Sequence, residues 1–297
     1  DIELGEMRSH HLGFGLGPRL NAAGRLEHAN YSLELVTTKD PIEAQALAFQ
    51  LEELNHQRQL EQERITTEAS ALAEMYTADP VLVLADPGWS HGVVGIVASK
   101  LAERYGKPTL VLQIMSGHAK GSGRSANGYS LIEGLRFHQD LFTKVGGHDF
   151  AAGFTLPTEY IGQLRISMNN HYRQVAADLP AQAGRKVDLK IEDSRDIGWD
   201  FYNNVRLLEP FGNGNMQPCF AIDGMKVVSV DTVGKQKRHL KVRLADPHGG
   251  VFEAIGFGLA EHYPGLRKGQ TVNIQCYIQK NQWGDKVTLQ FGLLGIQ

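Results

Sequence analysis

Beyond residue 186 the sequence consists of short strand patterns separated by turns. Six such segments follow one another within about 110 residues, with turn signals such as Asp223-Gly224 and Lys268-Gly269 between them. The segments are 187–191, 220–230, 239–245, 251–257, 271–279 and 286–291. One helical insert is predicted near 194–208. So many short strands in so short a stretch favour a small closed barrel, with the OB-fold as the leading candidate for residues 187–297.

Residues 80–179 instead alternate strand and helix patterns. The predicted elements are a strand at 81–85, a helix at 93–105, a strand at 108–114, a helix at 131–138, a strand at 154–156 and a helix at 159–177. This order predicts an α/β domain with a mixed sheet. A segment rich in small residues, 180–186, is interpreted as the linker to the barrel.

Residues 41–79 have the pattern of one long helix. Pro41 suits a first helical turn, Asp40 can cap it, and Asp79-Pro80 ends it. The middle of the helix, residues 55–64, is polar on all sides. Such a helix is typical of a connection between two bodies, so we expect an interdomain helix.

The composition is that of a globular protein, with 42% hydrophobic and 21% charged residues and a net charge of −3. No apolar run approaches the ~20 residues of a membrane span. Two cysteines are too few for a disulfide framework or a thiolate zinc site, which favours a cytoplasmic location. Because the first residue is Asp1 and not Met, we expect a piece of a longer chain.

Two glycine-rich segments about twenty positions apart carry a candidate anion site. Its residues are Ser122, Arg124 and Ser125 in the first segment and Gly146, Gly147 and His148 in the second. Glycine lets a backbone approach a phosphate, serine donates short hydrogen bonds, and arginine can bind two oxygens at once. The first segment alone is equally compatible with an ordinary glycine-rich turn. In either case we expect this segment to form a loop at the edge of a strand.

Two further segments offer polar side chains for the same site. The Gly/Pro-rich segment 13–26 presents Arg19, Asn21 and Arg25, although two solvated arginines on a structural turn would give the same pattern. His91 stands at a predicted helix N-terminus, where the dipole favours anions. Its neighbour Trp89 is interpreted as a core or lid residue, with base stacking as the alternative.

The predicted barrel contains the one clear basic run, in which five of nine residues are Lys or Arg. These are Lys235, Lys237, Arg238, Lys241 and Arg243. Lys241 and Arg243 alternate with apolar neighbours and should share an exposed strand face. A barrel of this kind can bind single strands through a basic groove with stacking aromatics, for which Trp283, Tyr277 and Phe257 are candidates. A solvated charged face is the alternative.

The two glycine-rich segments, in this order, resemble the DHH-associated domain of the DHH phosphoesterases. Segments 17–26 (GPRLNAAGRL), 89–101 and 210–215 (PFGNGN) resemble the RecJ family of that superfamily. The resemblance implies four regions. They are the end of a DHH domain at 1–40, a connecting helix at 41–79, a DHH-associated domain at 80–179 and an OB-fold domain at 187–297.

The resemblance also implies a function. RecJ proteins are 5′→3′ exonucleases that hydrolyse phosphodiesters of single-stranded DNA in repair and recombination, with Mn²⁺ or Mg²⁺ held by a motif upstream of residues 17–26. We therefore expect this chain to bind substrate and to be inactive alone. Single-stranded DNA is the expected partner, a single-strand-binding protein or a helicase is a further candidate, and no membrane is expected.

No metal site is predicted within the chain itself. Ser9-His10-His11 has Ser where an Asp-His-His motif has its carboxylate, and no Asp lies between Asp1 and Asp40. Two other functions stay open. One is a non-catalytic module that binds nucleic acid or protein. The other is a DHH-family phosphodiesterase for short oligonucleotides or cyclic dinucleotides, which the barrel argues against.

Overall fold

The computed structural model describes residues 7, 9, 11–179, 186–234, 237–284 and 286–297. The chain divides into two compact units, Asp1–Gln182 and Ala183–Gln297. Most of the predicted linker and His10 lie outside the described residues. Among the helices that the structure describes, none is long and apolar enough to cross a membrane.

Three helices open the first unit: α1 (Gly17–Leu26), α2 (Asn30–Thr37) and α3 (Pro41–Ala73). A π-helical turn, His11–Leu16, precedes α1. The start of α3 follows the sequence prediction, because the Asp40 carboxylate accepts a hydrogen bond from the Ile42 amide at 2.9 Å. Two apolar clusters flank the polar middle of α3: Leu51 and Leu54 pack with α1 and α2, and Ile65 and Ala69 pack with the elements that follow.

The polar middle of α3 is not solvated on all sides. Asn55, Arg58 and Gln62 lie on one face of the helix and are 2%, 8% and 7% exposed. They are buried where α1 and α4 pack against α3. The prediction of one long helix is confirmed, but periodicity hid this buried polar face.

The sheet of the first unit has five strands in the order β1-β2-β3-β5-β4. Its elements are β1 (Leu82–Asp86), α4 (His91–Tyr105), β2 (Thr109–Met115), β3 (His118–Arg124), α5 (Leu131–Phe137), β4 (Lys144–Gly147), β5 (Ala151–Pro157) and α6 (Ile161–Val175). Strands β1 and β2 are parallel and the other pairs antiparallel, so the mixed sheet is confirmed. The apolar side chains of α3 and α4 cover one face, and those of α5 and α6 cover the other.

The first glycine-rich segment lies within β3 and is not a loop, contrary to the prediction. A Cβ on Gly121 would lie 2.5 Å from the Phe154 ring, and one on Gly123 would lie 2.7 Å from Leu131 Cδ2. These two glycines therefore make room for the core. Gly146 and Gly147 end β4 and lead into a β-hairpin turn.

The second unit is a barrel closed by five strands. They are β7 (Phe220–Val233), β8 (His239–Ala245), β9 (Val251–Gly256), β10 (Thr271–Trp283) and β11 (Lys286–Ile296). Closure occurs because β10 pairs with both β11 and β7, while β9 pairs in parallel with β11. A short strand β6 (Leu189–Lys190) joins β7, and helix α7 (Trp199–Arg206) occupies part of the predicted insert. The OB-like barrel is thus confirmed.

Helix α6 holds the edge strand of the first sheet through one buried amide. The Asn169 side chain accepts from the Val81 N–H at 3.0 Å and donates to the Val81 carbonyl at 3.1 Å. The same Nδ2 group donates to the Arg165 carbonyl at 2.8 Å. The amide thereby satisfies backbone groups that the edge strand would otherwise bury unpaired.

We therefore expect Asn169→Ala to lower the free energy of unfolding of the first unit by about 1–3 kcal/mol, since it leaves buried polar groups unpaired. Urea unfolding and hydrogen exchange of residues 80–86 measure this. The exposed neighbour Asn170→Ala is the matched control and should change stability by less than about 0.5 kcal/mol. Equal effects of the two substitutions would contradict the assignment.

Candidate functional site

Strand β3 places three polar side chains in one row on the face that α4 partly covers. Alternation along the strand puts Lys120, Ser122 and Arg124 on this face, while the glycines between them face the core. Helix α4 approaches closely because it has Gly95 at the contact. A Cβ there would lie 3.1 Å from Ser122 Oγ and 3.4 Å from Arg124 Nη2.

Arg124 is half-buried and held in place by its own strand. Its Nη1 donates to Ser122 Oγ at 3.0 Å and to the Gly123 carbonyl at 2.8 Å. Burial lowers the pKa of Arg124 below its usual value, and the charge of Arg25 lowers it further. The guanidinium remains charged at neutral pH. Within the described part of the chain, its Nε and Nη2 groups make no hydrogen bond, so they are available to an anion.

Arg25 reaches this row from the last turn of α1. Its Nη1 donates to the Gly92 carbonyl at 3.0 Å, in the first turn of α4. A Cβ on Gly92 would overlap the Arg25 carbonyl, so α1 and α4 can meet only at a glycine. The contact of α1 with α4 at Gly92 brings the guanidinium group of Arg25 within electrostatic range of that of Arg124. This explains physically why the two arginines, predicted to share one site, lie near each other.

Arg58 is a third arginine of the cluster, and the sequence analysis missed it. Its Nη1 donates to Gln62 Oε1 at 2.7 Å and its Nη2 to Asn55 Oδ1 at 2.6 Å. Burial, and then the charge of Arg25, lower the pKa of Arg58. The signal in the sequence was weak: Asn55, Arg58 and Gln62 share a helix face by their spacing of three and four residues.

No carboxylate neutralises this cluster. Among the described residues, neither Arg25 nor Arg58 nor Arg124 forms an ion pair. A buried guanidinium held only by neutral amides retains its charge at a cost in desolvation. The buried Arg58, the half-buried Arg124 and the exposed Arg25, which is within electrostatic range of both, together favour a bound anion with several oxygens.

The sheet face beyond α4 is open and has a glycine floor. Ser122 lies opposite Gly153 of β5, which lies opposite Gly146 of β4, and a Cβ on either glycine would meet nothing within 4 Å. Lys120 and Lys144 flank this floor in a shallow cavity of about 340 Å³. An extended polar chain can therefore approach the backbone here between two cations.

The two predicted segments share this face, but β5 lies between them. His148 pairs with Ala151 across the hairpin turn, and Ala151 lies opposite Arg124. The turn also contacts the end of the first segment, since the Ser125 amide donates to the Phe150 carbonyl at 3.0 Å. The hydroxyl of Ser125 donates to the Tyr129 carbonyl, which gives it a role in the turn. Gly147 has a φ of +149°, and a Cβ there would overlap the Ala151 carbonyl.

The other predicted residues of the first unit differ in their surroundings. Arg19 pairs with Glu52 and donates to the Gly15 carbonyl at 2.8 Å, so it joins α1 to α3. Asn21 lies exposed on α1, one turn before Arg25. His91 begins α4; burial and then the charge of Lys120 lower its pKa, so its neutral form predominates at neutral pH.

Trp89 is a core residue, as interpreted from the sequence. It is buried, and its indole Nε1 donates to Glu68 of α3 at 2.9 Å. Arg64 pairs with the same carboxylate and donates to the Gly88 carbonyl at 2.8 Å. These hydrogen bonds hold the loop before α4 against α3. They thereby fix the position of the first turn of α4, the helix that carries Gly92 and Gly95.

In the second unit, Lys241 and Arg243 lie exposed on the outer face of β8, as predicted. Acidic residues flank them: Lys241 Nζ lies 3.7 Å from Glu253 of β9, and Asp231 of β7 lies opposite Lys241. Lys237 and Arg238 are exposed before β8. Lys235 and the side chain of Trp283 lie outside the described residues. Phe257 is exposed, and Tyr277 packs over Gly292.

The described residues do not fit a metal site. In the parts of the chain that the structure describes, no group of three or more His, Cys, Asp or Glu side chains comes together. The guanidinium groups of Arg25, Arg58 and Arg124, which form no ion pair within the described residues, are instead suited to contact an anion.

The arginine cluster should bind a multivalent phosphate, and Arg124 should be required. We expect pyrophosphate to bind the chain, measurable by titration calorimetry at constant ionic strength. Arg124→Gln should abolish this binding, and Arg124→Lys should weaken it although charge is kept, because a lysine cannot contact two oxygens in a plane. Arg173→Gln, an exposed arginine on α6, is the control. Undiminished binding by Arg124→Gln would contradict the assignment.

Comparison with known proteins identifies the domain families of the two units. Residues 78–172 match the DHHA1 domain family, and residues 187–294 match the RecJ OB domain family. The single-stranded-DNA-specific exonuclease RecJ of Bacillus subtilis is 33% identical over 287 residues, which are 96% of this chain and 36% of that protein. The RecJ of Escherichia coli is 31% identical over 84% of this chain and 44% of its own length.

Solved structures extend the similarity to the whole fold. The crystal structure of RecJ from Thermus thermophilus in complex with Mn²⁺ superposes with a TM-score of 0.82 at 28% identity, over 98% of this chain and 42% of that protein. The same protein with Mg²⁺ gives a TM-score of 0.76 over 98% and 44%. The chain thus spans less than half of the length of these relatives. Over that shared region, the chain belongs to the RecJ family.

Proposed function

We propose that this chain is the substrate-binding part of a RecJ-type 5′→3′ exonuclease for single-stranded DNA. The observation that carries the proposal is the arginine cluster beside Ser122, whose arginines form no ion pair with any described carboxylate and which adjoins an open glycine-floored face. The relatives are described as single-stranded-DNA-specific exonucleases. A phosphodiester backbone is the anion that this surface suits best.

The cluster would position one phosphate of the strand. Arg124 offers Nε and Nη2 as a planar pair of donors, and its bonds to Ser122 and Gly123 orient it before substrate arrives. Arg25 and Arg58 add positive charge nearby. Because the guanidinium groups of Arg58 and Arg124 are already partly desolvated, less reorganisation is needed when the phosphate binds.

The neighbouring phosphates would follow the open face of the sheet. Lys120 and Lys144 flank the glycine floor, and Gly146 and Gly153 let the strand approach the backbone. His148 lies exposed in the turn after β4, where it pairs with Ala151 next to Arg124. From there it can donate a hydrogen bond to a phosphate or a leaving oxygen. No residue of this chain is assigned to the bond cleavage itself.

Mn²⁺ or Mg²⁺ would be supplied in the intact protein. The solved Thermus relatives carry these ions, but no described residues of this chain fit such a site. We also propose a cytoplasmic location, since the sequence has only two cysteines, too few for a disulfide framework.

We expect the chain alone to release no nucleotides from labelled single-stranded DNA with Mn²⁺ or Mg²⁺, because its described residues cannot hold the ions. Gel analysis of the products measures this. Metal-dependent release that disappears in an Arg124→Ala variant, prepared in parallel, would belong to the chain itself and would contradict the expectation.

The exposed cations on the outer face of β8 should contribute to single-strand binding through their charge. Lys241→Gln and Arg243→Gln should each lower the salt slope of single-strand binding by ~0.7. Glu253→Gln should tighten binding about two- to five-fold at low salt, because it removes the carboxylate that competes for Lys241. Fluorescence anisotropy over a range of salt concentrations measures both effects.

The matched control is Glu192→Gln, which breaks an exposed pair of the same 3.7 Å length at Lys190 in the same unit. Its affinity should equal that of the unaltered chain. If none of the β8 and β9 variants changes the slope or the affinity, the basic run is only a solvated face.

A further inference from the structure

One aromatic side chain in the second unit is held in an exposed position by a specific set of contacts. Phe257 follows β9 directly and is 63% exposed. Its ring meets the His239 ring edge to face, with centroids 5.3 Å apart and an angle of 69°. Since Leu240 pairs with Gly256, the two rings lie opposite each other on the outer face of β8 and β9.

The backbone around His239 makes room for this ring pair. Gly234 has a left-handed φ of +93°, and a Cβ there would lie 2.8 Å from Cδ2 and 3.2 Å from Nε2 of His239. A larger residue at 234 would therefore displace the imidazole. The ring fits between the end of β7 and Phe257 only because residue 234 has no side chain.

A hydrogen bond fixes the imidazole. The Gly258 amide donates to His239 Nδ1 at 3.1 Å, so the neutral ring carries its proton on Nε2. A backbone hydrogen bond also holds the turn after Gly258 against the start of β8, because the Ala260 amide donates to the Arg238 carbonyl at 3.1 Å. Phe257 thus stands beside an oriented ring on an anchored turn, which we call the aromatic ledge (Gly234, His239, Phe257 and Gly258).

The surroundings of the aromatic ledge indicate its partner. Lys237 and Arg238 are exposed directly before His239, and Lys241 follows on the same face of β8, about 6.8 Å along the strand. An apolar protein surface would have to bury these charges. A nucleobase offers a flat apolar face attached to a phosphate, which fits one exposed ring among cations.

We propose that Phe257 stacks on a base of a bound single strand and that His239 is the positioning residue for its ring. The inference rests on the proposed function, in which the cations of the barrel contact phosphates only. It adds to that function a contact with a base. Single strands are favoured over duplexes, since a base within a duplex has no free face to offer.

The test compares two ligands of equal length and charge, an oligothymidylate and an abasic oligonucleotide, by fluorescence anisotropy with the full 297-residue chain. Phe257→Ala should weaken oligothymidylate binding at least ~5-fold, the equivalent of ~1 kcal/mol per stacked base. It should leave abasic binding and the salt slope unchanged. Phe257→Trp should retain affinity. Val251→Ala, a half-exposed apolar residue at the other end of β9, is the matched control.

The role of His239 needs a readout that a merely structural residue would not move. In the Phe257→Trp chain, base stacking should quench the added indole fluorescence, after subtraction of the signal of the three native tryptophans. His239→Ala should lower the anisotropy of this indole and its quenching by oligothymidylate, while His239→Phe should restore both. Circular dichroism confirms that each variant is folded.

Each outcome separates the inference from the proposed function. If the chain binds oligothymidylate but Phe257→Ala binds equally well, or if the abasic strand binds as tightly as oligothymidylate, the stacking inference is overturned and the proposed function stands. If the chain binds neither strand, both are overturned. Selective loss of oligothymidylate binding in Phe257→Ala supports the inference.

Discussion

The close approach of α4 to two neighbours at once is the constraint on which the site of the first unit depends. Gly92 and Gly95 lie three residues apart, so they share one side of the helix. At Gly92 the helix touches the Arg25 backbone, and at Gly95 it touches Ser122 and Arg124. A Cβ at Gly92 would overlap the backbone of α1, and one at Gly95 would crowd the Ser122 and Arg124 side chains. Two missing methyl groups thus bring Arg25 within electrostatic range of Arg124.

That arrangement opposes the ordinary preference for paired charges. Burial lowers the pKa of Arg58 and of Arg124, and the charge of Arg25 is close enough to lower both further. Two features reduce the cost. Arg25 lies in the last turn of α1, where the helix dipole favours a cation, and the amides of α3 hydrogen-bond Arg58. An anion bound between these arginines would relieve the remaining repulsion, and that relief would add to its binding free energy.

The sequence was sufficient for the elements and insufficient for some of their contacts. Periodicity and turn signals predicted the long helix, the mixed sheet and the barrel, because each depends on local pattern. Gly121 and Gly123 have a reason that local pattern does not show: a Cβ at Gly121 would meet the Phe154 side chain and one at Gly123 would meet Leu131, both across the core. Arg58 was missed for a similar reason: its burial results from α1 and α4 packing against α3, which no spacing within α3 reveals.

The two units would attract a polyanion by different physical means, and the dependence on salt would distinguish them. In the first unit the guanidinium groups of Arg58 and Arg124 are buried or half-buried and oriented by hydrogen bonds, so ions screen their field only weakly. In the second unit Lys241 and Arg243 are exposed and Lys241 is partly paired, so their attraction falls steeply above ~0.15 M salt, where the Debye length is about 8 Å. A stacked base at Phe257 is not screened by salt. The aromatic ledge is therefore the feature by which the second unit would retain a strand under conditions that weaken its charges.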